Sequence, residues 1–163
     1  MDSYLLKRAV VQQINPENFL PFGQMIAALD DHTPFSEKDA QLQIHKGIPR
    51  FYIMRLYQRG RKFHHITRHH FCTQCLGSLE GKDWLMGVAP PSLAKFPAWK
   101  DIVVFRIPGN CFIKLAVGTW HAGPFFDHDC VDFYNLELSD TNLVDHDTCN
   151  LLEQHGVAFE IVS

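Results

Sequence analysis

Short apolar runs with strand-like patterns recur along most of the chain. In Val131–Leu138, VDFYNLEL, apolar and polar residues alternate, which is the pattern of a β-strand with one buried face. Aromatic and aliphatic runs at 51–56, 101–107 and 111–117 also predict strands. Turn signals separate the runs, including Arg59-Gly60, Glu80-Gly81, Pro90-Pro91, Pro108-Gly109-Asn110 and Ala122-Gly123-Pro124. Strands at roughly ten-residue spacing predict an all-β sandwich or barrel.

Helical patterns are few and short. The sequence predicts a short helix near Pro16 that breaks at Pro21, and the polar, turn-rich residues 30–50 predict a loop. Only residues 148–155, TCNLLEQH, show further helical character. We therefore expect an all-β fold with a few short flanking helices. No repeat, low-complexity tract or charge block divides the chain, so we expect a single domain over residues 1–163.

The charge balance of the chain indicates which classes of binding partner are not expected. The 163 residues are 46% hydrophobic and 20% charged, with 15 Lys and Arg against 18 Asp and Glu, a net charge of −3. A dedicated binder of nucleic acid or anionic membrane needs a basic excess, so neither partner is expected. No run approaches the ~20 apolar residues of a membrane-spanning helix. The amino end, MDSYLLKRAVVQQ, lacks the apolar core of an export signal, and the five cysteines are odd in number. Both observations predict reduced thiols in a cytoplasmic protein.

The candidate chemistry lies in the histidines. Four of the ten fall within the seven residues HHITRHH, at 64, 65, 69 and 70, and His121 lies in GTWHAGP. Neighbouring residues of a strand face opposite sides of a sheet, so each His-His doublet can direct at most one ring into a barrel interior. Taken singly, most of these histidines are expected at the surface. A functional interpretation therefore depends on their spacing.

This spacing resembles the two sequence motifs of cupins, which are double-stranded jelly-roll barrels that bind a metal or a ligand inside the barrel. The first motif, G-x5-H-x-H-x3,4-E-x6-G, is matched by His69 and Gly81, with Gln74 in the place of the glutamate. The second, P-x-G-x2-H-x3-N, is matched by Gly118 and His121. The resemblance implies a double-stranded β-helix. It also implies a site for a divalent metal ion with His69, Gln74 and His121 as ligands.

Other positions of the two motifs carry different residues. Because the first motif allows three or four intervening residues, His70 is an alternative to His69. A neutral amide in place of the glutamate is a weaker metal ligand than a carboxylate. The residues that differ from the motifs are Thr67 and Gln74 in the first, and Ala116 and Phe125 in the second.

Longer segments resemble the ureidoglycolate lyase family, whose members have a cupin barrel. The shared features are F-x-x-[FY]-G at 19–23, R-H-x-x-x-T-Q at 68–74 and a later glycine, Gly81. The most specific part is W-H-x-P-F at 120–125 followed by the family's V-x-D-F, here Val131-Asp132-Phe133, and this chain has one extra residue between the histidine and the proline. The family splits ureidoglycolate into glyoxylate and urea, in purine breakdown through allantoin. Homodimerisation is also implied by the resemblance.

The resemblance further implies a set of site residues for a small carboxylate substrate. We expect Lys114, on the strand before His121, to bind the substrate carboxylate, with Arg55 and Arg68 as weaker candidates. An elimination from ureidoglycolate needs a base for the hydroxyl proton and an acid for the leaving nitrogen. The predicted catalytic residues are His69, His121 and Lys114, and the predicted substrate-binding residues are Gln74, Thr73, Arg68, Trp120 and Asp132.

Two other functions stay open beside the lyase. One is a metal-dependent cupin enzyme of another reaction, such as a dioxygenase or isomerase, and the other is a non-catalytic cupin-fold binding protein. Leu115 and Ala116 stand where some family members carry polar Tyr and His residues on the strand. If those polar groups supply the acid or the base, this chain acts on another substrate or on none, unless the extra histidines at 64, 65 and 70 replace them.

Overall fold

Thirteen β-strands form most of the regular structure in residues 3–163, the part of the chain that the computed structural model describes. Two short helices, α1 (Thr141–Val144) and α2 (Leu151–His155), lie near the carboxyl end. The strands are β1 (Leu5–Gln13), β2 (Gly23–Ile26), β3 (Pro49–Tyr57), β4 (Lys62–Phe63), β5 (His65–Arg68), β6 (Gln74–Ser78), β7 (Gly81–Ala89), β8 (Val103–Gly109), β9 (Phe112–Leu115), β10 (Trp120–Phe125), β11 (Cys130–Leu138), β12 (Asp147–Asn150) and β13 (Val157–Val162).

The strands form two curled sheets. The larger sheet has eight strands in the order β12-β5-β10-β7-β8-β1-β13-β4, and the smaller has five in the order β2-β9-β6-β11-β3. Most neighbours are antiparallel, whereas β1 runs parallel to both β8 and β13. The predicted all-β cupin-type barrel with short flanking helices is thereby confirmed.

Alternate residues of strand β7 enter two separate hydrophobic clusters. Trp84, Met86 and Val88 belong to the cluster between the two sheets, together with Phe133 of β11. Leu85 belongs to the second cluster, on the other face of the larger sheet. Because successive side chains of a strand point to opposite faces, β7 is buried on both sides. It fixes the wall of the barrel from which the interior side chains project.

The strands predicted from apolar runs are confirmed with small shifts of their ends, at 49–57, 103–109, 112–115 and 130–138. The other nine strands, β1, β2, β4, β5, β6, β7, β10, β12 and β13, were not assigned from the sequence pattern. Several of them carry polar residues, or are buried on both faces, and so lack a clean alternation.

The helix predicted near Pro16 is wrong, because residues 16–22 form turns. Asn15 and Asn18 each accept a hydrogen bond from the other's backbone N–H, at 2.9 and 2.8 Å. These side-chain bonds offer the backbone an alternative to helix. The helix predicted within 148–155 starts only at α2, where Asn150 accepts hydrogen bonds from the backbone N–H groups of residues 152 and 153.

No helix within residues 3–163 is long and apolar enough to cross a membrane.

We expect Leu85→Ala to lower the free energy of unfolding by about 2–5 kcal/mol, because Leu85 is 2% exposed and its removal leaves a cavity in the second cluster. Leu93, which is fully exposed, provides the matched control. Leu93→Ala should change that free energy by less than about 0.5 kcal/mol. Urea unfolding of both variants measures the difference, and equal effects would contradict this packing.

Candidate active site

A polar cavity of about 140 Å³ lies between the two sheets. Its size is close to that of engineered cavities of roughly 150 Å³ that accommodate benzene, so it suits a molecule of a few heavy atoms. The larger sheet contributes His121 and Met86, and the smaller sheet contributes Gln74 and Glu137. The lining residues are Tyr52, Met54, Leu56, Arg59, His69, Gln74, Leu76, Met86, His121, Gly123, Pro124, Asn135, Glu137, Asn142 and His146.

The buried imidazole of His69, directly after β5, is held by the backbone of Asp145. Its Nδ1 lies 2.6 Å from the Asp145 carbonyl oxygen. A carbonyl can only accept, so Nδ1 carries the hydrogen, and Nε2 of the neutral ring holds the lone pair. The Asp145 carboxylate accepts hydrogen bonds from the backbone N–H groups of His70 and Phe71, at 2.7 and 2.8 Å. Asp145 therefore fixes both the position and the tautomer of His69.

His121 of β10 faces the same cavity, with its ring centroid 5.1 Å from that of His69. Its Nε2 is buried and has no hydrogen-bond partner within residues 3–163. Burial, together with the nearby His69 and His146, lowers the pKa of His121 to about 3. Burial also lowers the pKa of His69, against the hydrogen bond to the Asp145 carbonyl, which raises it. Both rings are therefore neutral near pH 7.

A polar wall formed by Tyr52, Gln74, Asn135 and Glu137 closes the side of the cavity made by the smaller sheet. Tyr52 donates its hydroxyl hydrogen to Glu137 Oε1 at 3.1 Å, and Asn135 Nδ2 donates to the Tyr52 hydroxyl oxygen at 3.2 Å. Gln74 Nε2 donates to Asn135 Oδ1 at 2.9 Å and lies 3.5 Å from Glu137 Oε2. Burial raises the pKa of the Tyr52 phenol, so it stays a donor near neutral pH.

Arg59, two residues after the end of β3, is the one Lys or Arg side chain among the cavity-lining residues of the described chain. It is exposed, and its guanidinium carbon lies 5.6 Å from the centroid of the Phe125 ring. Within residues 3–163, no Asp or Glu forms an ion pair with it. His146, also exposed, has its ring centroid 5.9 Å from that of His69. The cavity therefore offers one cation that is free to meet a ligand anion.

Three of the predicted site residues line one cavity: His69, Gln74 and His121. The structure also distinguishes the two members of a doublet, since His69 is buried at the cavity while His70 is exposed and lies 3.3 Å from Asp147 Oδ2.

The structure does not bring Lys114 or Asp132 to this cavity. Lys114 of β9 is paired in register with Cys75, while Gln74 and Leu76 on either side of Cys75 line the cavity. Cross-strand partners share a face, so Lys114 points to the opposite face of the smaller sheet. Asp132 also lies on that face, where its carboxylate accepts two hydrogen bonds from Arg55 at 2.8 and 3.0 Å.

Arg68, Trp120 and Thr73 are buried outside the cavity as well. The Arg68 guanidinium donates to Asp147 at 2.8 Å, and its central carbon lies 4.3 Å from the centroid of the Trp120 ring. Trp120 packs in the second hydrophobic cluster, because its neighbour His121 takes the interior face of β10. The Thr73 hydroxyl accepts from the Gln43 backbone N–H at 2.9 Å. These placements differ from the expectation that all three bind substrate.

The departures from the family pattern have local explanations. Leu115 packs in the hydrophobic cluster between the sheets, and neither it nor Ala116 lines the cavity. The extra residue between His121 and Pro124 forms a bulge in β10, since Ala122 pairs with Gly87 and Phe125 with Leu85. His121 precedes the bulge and lines the cavity.

The proposed metal ligands do not form a complete metal site. No group of three or more His, Cys, Asp and Glu residues within residues 3–163 is arranged to hold a metal ion. The predicted set supplies two imidazoles and a carboxamide, whose nitrogen already donates within the polar wall. A bound divalent ion therefore stays a prediction.

The two curled sheets and the cavity between them define a cupin-type barrel with an internal site for a small molecule. The model of the ureidoglycolate lyase family matches residues 35–157, which is most of the chain. The protein belongs to the ureidoglycolate lyase family, and its activity is that of a lyase. The comparison with curated proteins finds no match.

Several cavity-lining residues were not predicted from the sequence, although the pattern of alternation indicated some of them. The alternation in β11 that places Val131 and Phe133 in the core places Asn135 and Glu137 on the same face. Two polar residues continuing a buried apolar face indicate a polar interior. Arg59 and His146 come from segments outside the strands, where no periodicity exists to reveal their direction.

We expect the stability of the protein to fall as the pH drops from 7 to 5, by about 2 kcal/mol from His121 alone. The unfolded chain binds this proton near pH 6.5, whereas the folded protein resists it until about 3. The stability is therefore complete above the unfolded pKa and is lost below it.

Urea unfolding at pH 7 and pH 5 measures this loss. It should shrink in His121→Gln and persist in a control, His32→Gln, whose side chain is 94% exposed. An identical pH dependence in both variants would refute the assignment.

Proposed function

We propose that the cavity binds ureidoglycolate and that His69 moves the proton in its cleavage to glyoxylate and urea. The observation that carries this proposal is the contact between His69 Nδ1 and the Asp145 carbonyl, at 2.6 Å. Because of that contact, Nε2 of the cavity-lining His69 carries a lone pair that can accept a proton. Family membership supports the reaction, and the cavity volume supports a ligand of this size.

The reaction is an elimination that His69 can serve twice. Nε2 takes the proton of the C2 hydroxyl, the oxygen electron pair forms the C=O bond of glyoxylate, and the C–N bond breaks with its electrons going to the urea nitrogen. The imidazolium then gives its proton to that nitrogen. Because burial lowers the pKa of His69, the imidazolium is a stronger acid than a solvent-exposed one and returns the proton readily.

Arg59 is our candidate for the substrate carboxylate. It lines the cavity without a carboxylate partner in the described chain, and a guanidinium can bind a carboxylate through two parallel hydrogen bonds. Lys114, which we predicted for this role, lies on the opposite face of the smaller sheet. Arg59 therefore replaces it in the proposal.

The cellular setting follows from the reaction. A lyase for ureidoglycolate serves purine breakdown through allantoin, so we place the protein there. All five cysteines are free thiols, four of them buried, and this supports the reducing environment of the cytoplasm.

We expect His69→Gln to lower kcat by about 10²–10⁴-fold with a small change in KM, because the variant loses the proton carrier and keeps the cavity. Urea release from ureidoglycolate measures the rate. His70→Gln is the matched control, since His70 is the exposed neighbour outside the cavity, and its rate should stay near that of the natural protein. The proposal fails if the natural protein releases urea no faster than the spontaneous reaction, or if His69→Gln keeps full kcat.

We also propose a homodimer in which two copies of β3 pair along their free edges. Strand β3 ends the smaller sheet and pairs only with β11 within residues 3–163. Its outer side chains Phe51, Ile53 and Tyr57 are 71%, 63% and 67% exposed. An edge strand with unpaired backbone groups pairs readily with a copy of itself about a two-fold axis.

We expect Ile53→Glu to convert the dimer to a monomer, because it places two charges near the two-fold axis in an apolar contact. Light scattering over a concentration series gives the mass. Leu93→Glu, at a fully exposed residue away from β3, should leave the dimer intact. A natural protein that is monomeric throughout the series would overturn the proposed dimer.

A further inference from the structure

We propose that Gln74 determines specificity by accepting a hydrogen bond from the ureido N–H groups of the ligand through its Oε1. This inference rests on the proposed function and extends it, because it assigns the end of the ligand that the polar wall recognises.

The orientation of the Gln74 amide follows from the hydrogen bonds of the polar wall. A carboxylate only accepts, so the single hydroxyl hydrogen of Tyr52 points to Glu137 Oε1 at 3.1 Å. The Tyr52 oxygen must then accept, and Asn135 supplies its NH₂ group at 3.2 Å. That turns Asn135 Oδ1 toward Gln74, which must present its own NH₂ group at 2.9 Å. Gln74 Oε1 is thereby left as an acceptor.

This oxygen has no partner in the described chain. Gln74 is 8% exposed, and its Oε1 is buried without a hydrogen bond. An unpaired buried acceptor costs about 1–3 kcal/mol, and a donor on a ligand recovers that cost. A ureido group carries N–H donors, whereas a carboxylate near neutral pH carries none. The polar wall therefore selects the ureido end of the ligand.

The charges of the cavity agree with this direction. Arg59 is the cation among the described lining residues, and Glu137 lies beside Gln74 in the polar wall. A carboxylate bound next to Glu137 would meet like charge, whereas one at Arg59 meets opposite charge. The ligand is thus held with its carboxylate at Arg59 and its ureido group at Gln74.

The test measures binding rather than turnover, with two probes that cannot undergo the elimination. N-carbamoylglycine keeps the ureido group and the carboxylate but lacks the C2 hydroxyl. Glycolate keeps the hydroxyl and the carboxylate but lacks the ureido group. NMR titration of the full chain gives both dissociation constants, for the natural protein and for Gln74→Met and Arg59→Met.

We expect Gln74→Met to weaken N-carbamoylglycine about ten- to hundredfold and to leave glycolate within about twofold. Retained glycolate binding also shows that the variant is folded. Arg59→Met should weaken both probes, since both carry the carboxylate. Gln74→Met that weakens neither probe, or weakens both equally, would overturn the assignment of Gln74.

This outcome is distinguishable from failure of the proposed reaction. If the natural protein releases no urea from ureidoglycolate but Gln74→Met selectively loses N-carbamoylglycine, the reaction is refuted and ureido recognition is supported. If urea is released and the selective loss is missing, only the role of Gln74 is refuted.

Discussion

The site depends on one residue that ties two segments together, Asp145. Its carbonyl accepts from His69 Nδ1 while its carboxylate accepts from the two backbone N–H groups that follow His69. The end of β5 and the segment before β12 are thus held against each other by three hydrogen bonds. The same contact that stabilises this junction selects the tautomer of the imidazole at the cavity. The hydrogen bonds of Asp145 therefore both stabilise the fold at this junction and set the protonation pattern of the His69 ring.

On the opposite side of the cavity, the buried polar side chains are paired with one another, as polar groups inside a hydrophobic barrel must be. The polar wall is a chain of hydrogen bonds that joins Tyr52, Asn135, Glu137 and Gln74. Because the Glu137 carboxylate can only accept, it fixes which group donates in each of the other bonds. Such a set leaves little freedom to rotate an amide. Four buried side-chain atoms lack a hydrogen-bond partner in the described chain, and two of them, Gln74 Oε1 and His121 Nε2, belong to cavity-lining residues.

How much of this was predictable depends on whether a residue lies in a periodic segment. The alternation of β11 and the apolar run of β3 predicted two neighbouring strands of the smaller sheet, and motif spacing brought His69, Gln74 and His121 together. Spacing could not tell which face of β9 carries Lys114, since that depends on the register with β6. Arg59 lies where the chain leaves a strand, and its direction is set by tertiary contacts alone.

The position of Leu115 shows how the cavity can have polar walls although Leu115, at the end of β9, is apolar. Leu115 packs in the apolar cluster between the sheets. The polar wall comes from β3, β6 and β11 of the same sheet, and the histidines of the cavity come from strands of the larger sheet or from residues next to them. Every strand of a barrel can direct side chains into its interior. A polar site therefore requires that polar side chains from some of the strands meet there, and it does not require a polar residue on any particular strand. In the reaction that we propose, the acid–base group and the polar contacts come from other residues around the same cavity, so the apolar Leu115 and Ala116 are compatible with it.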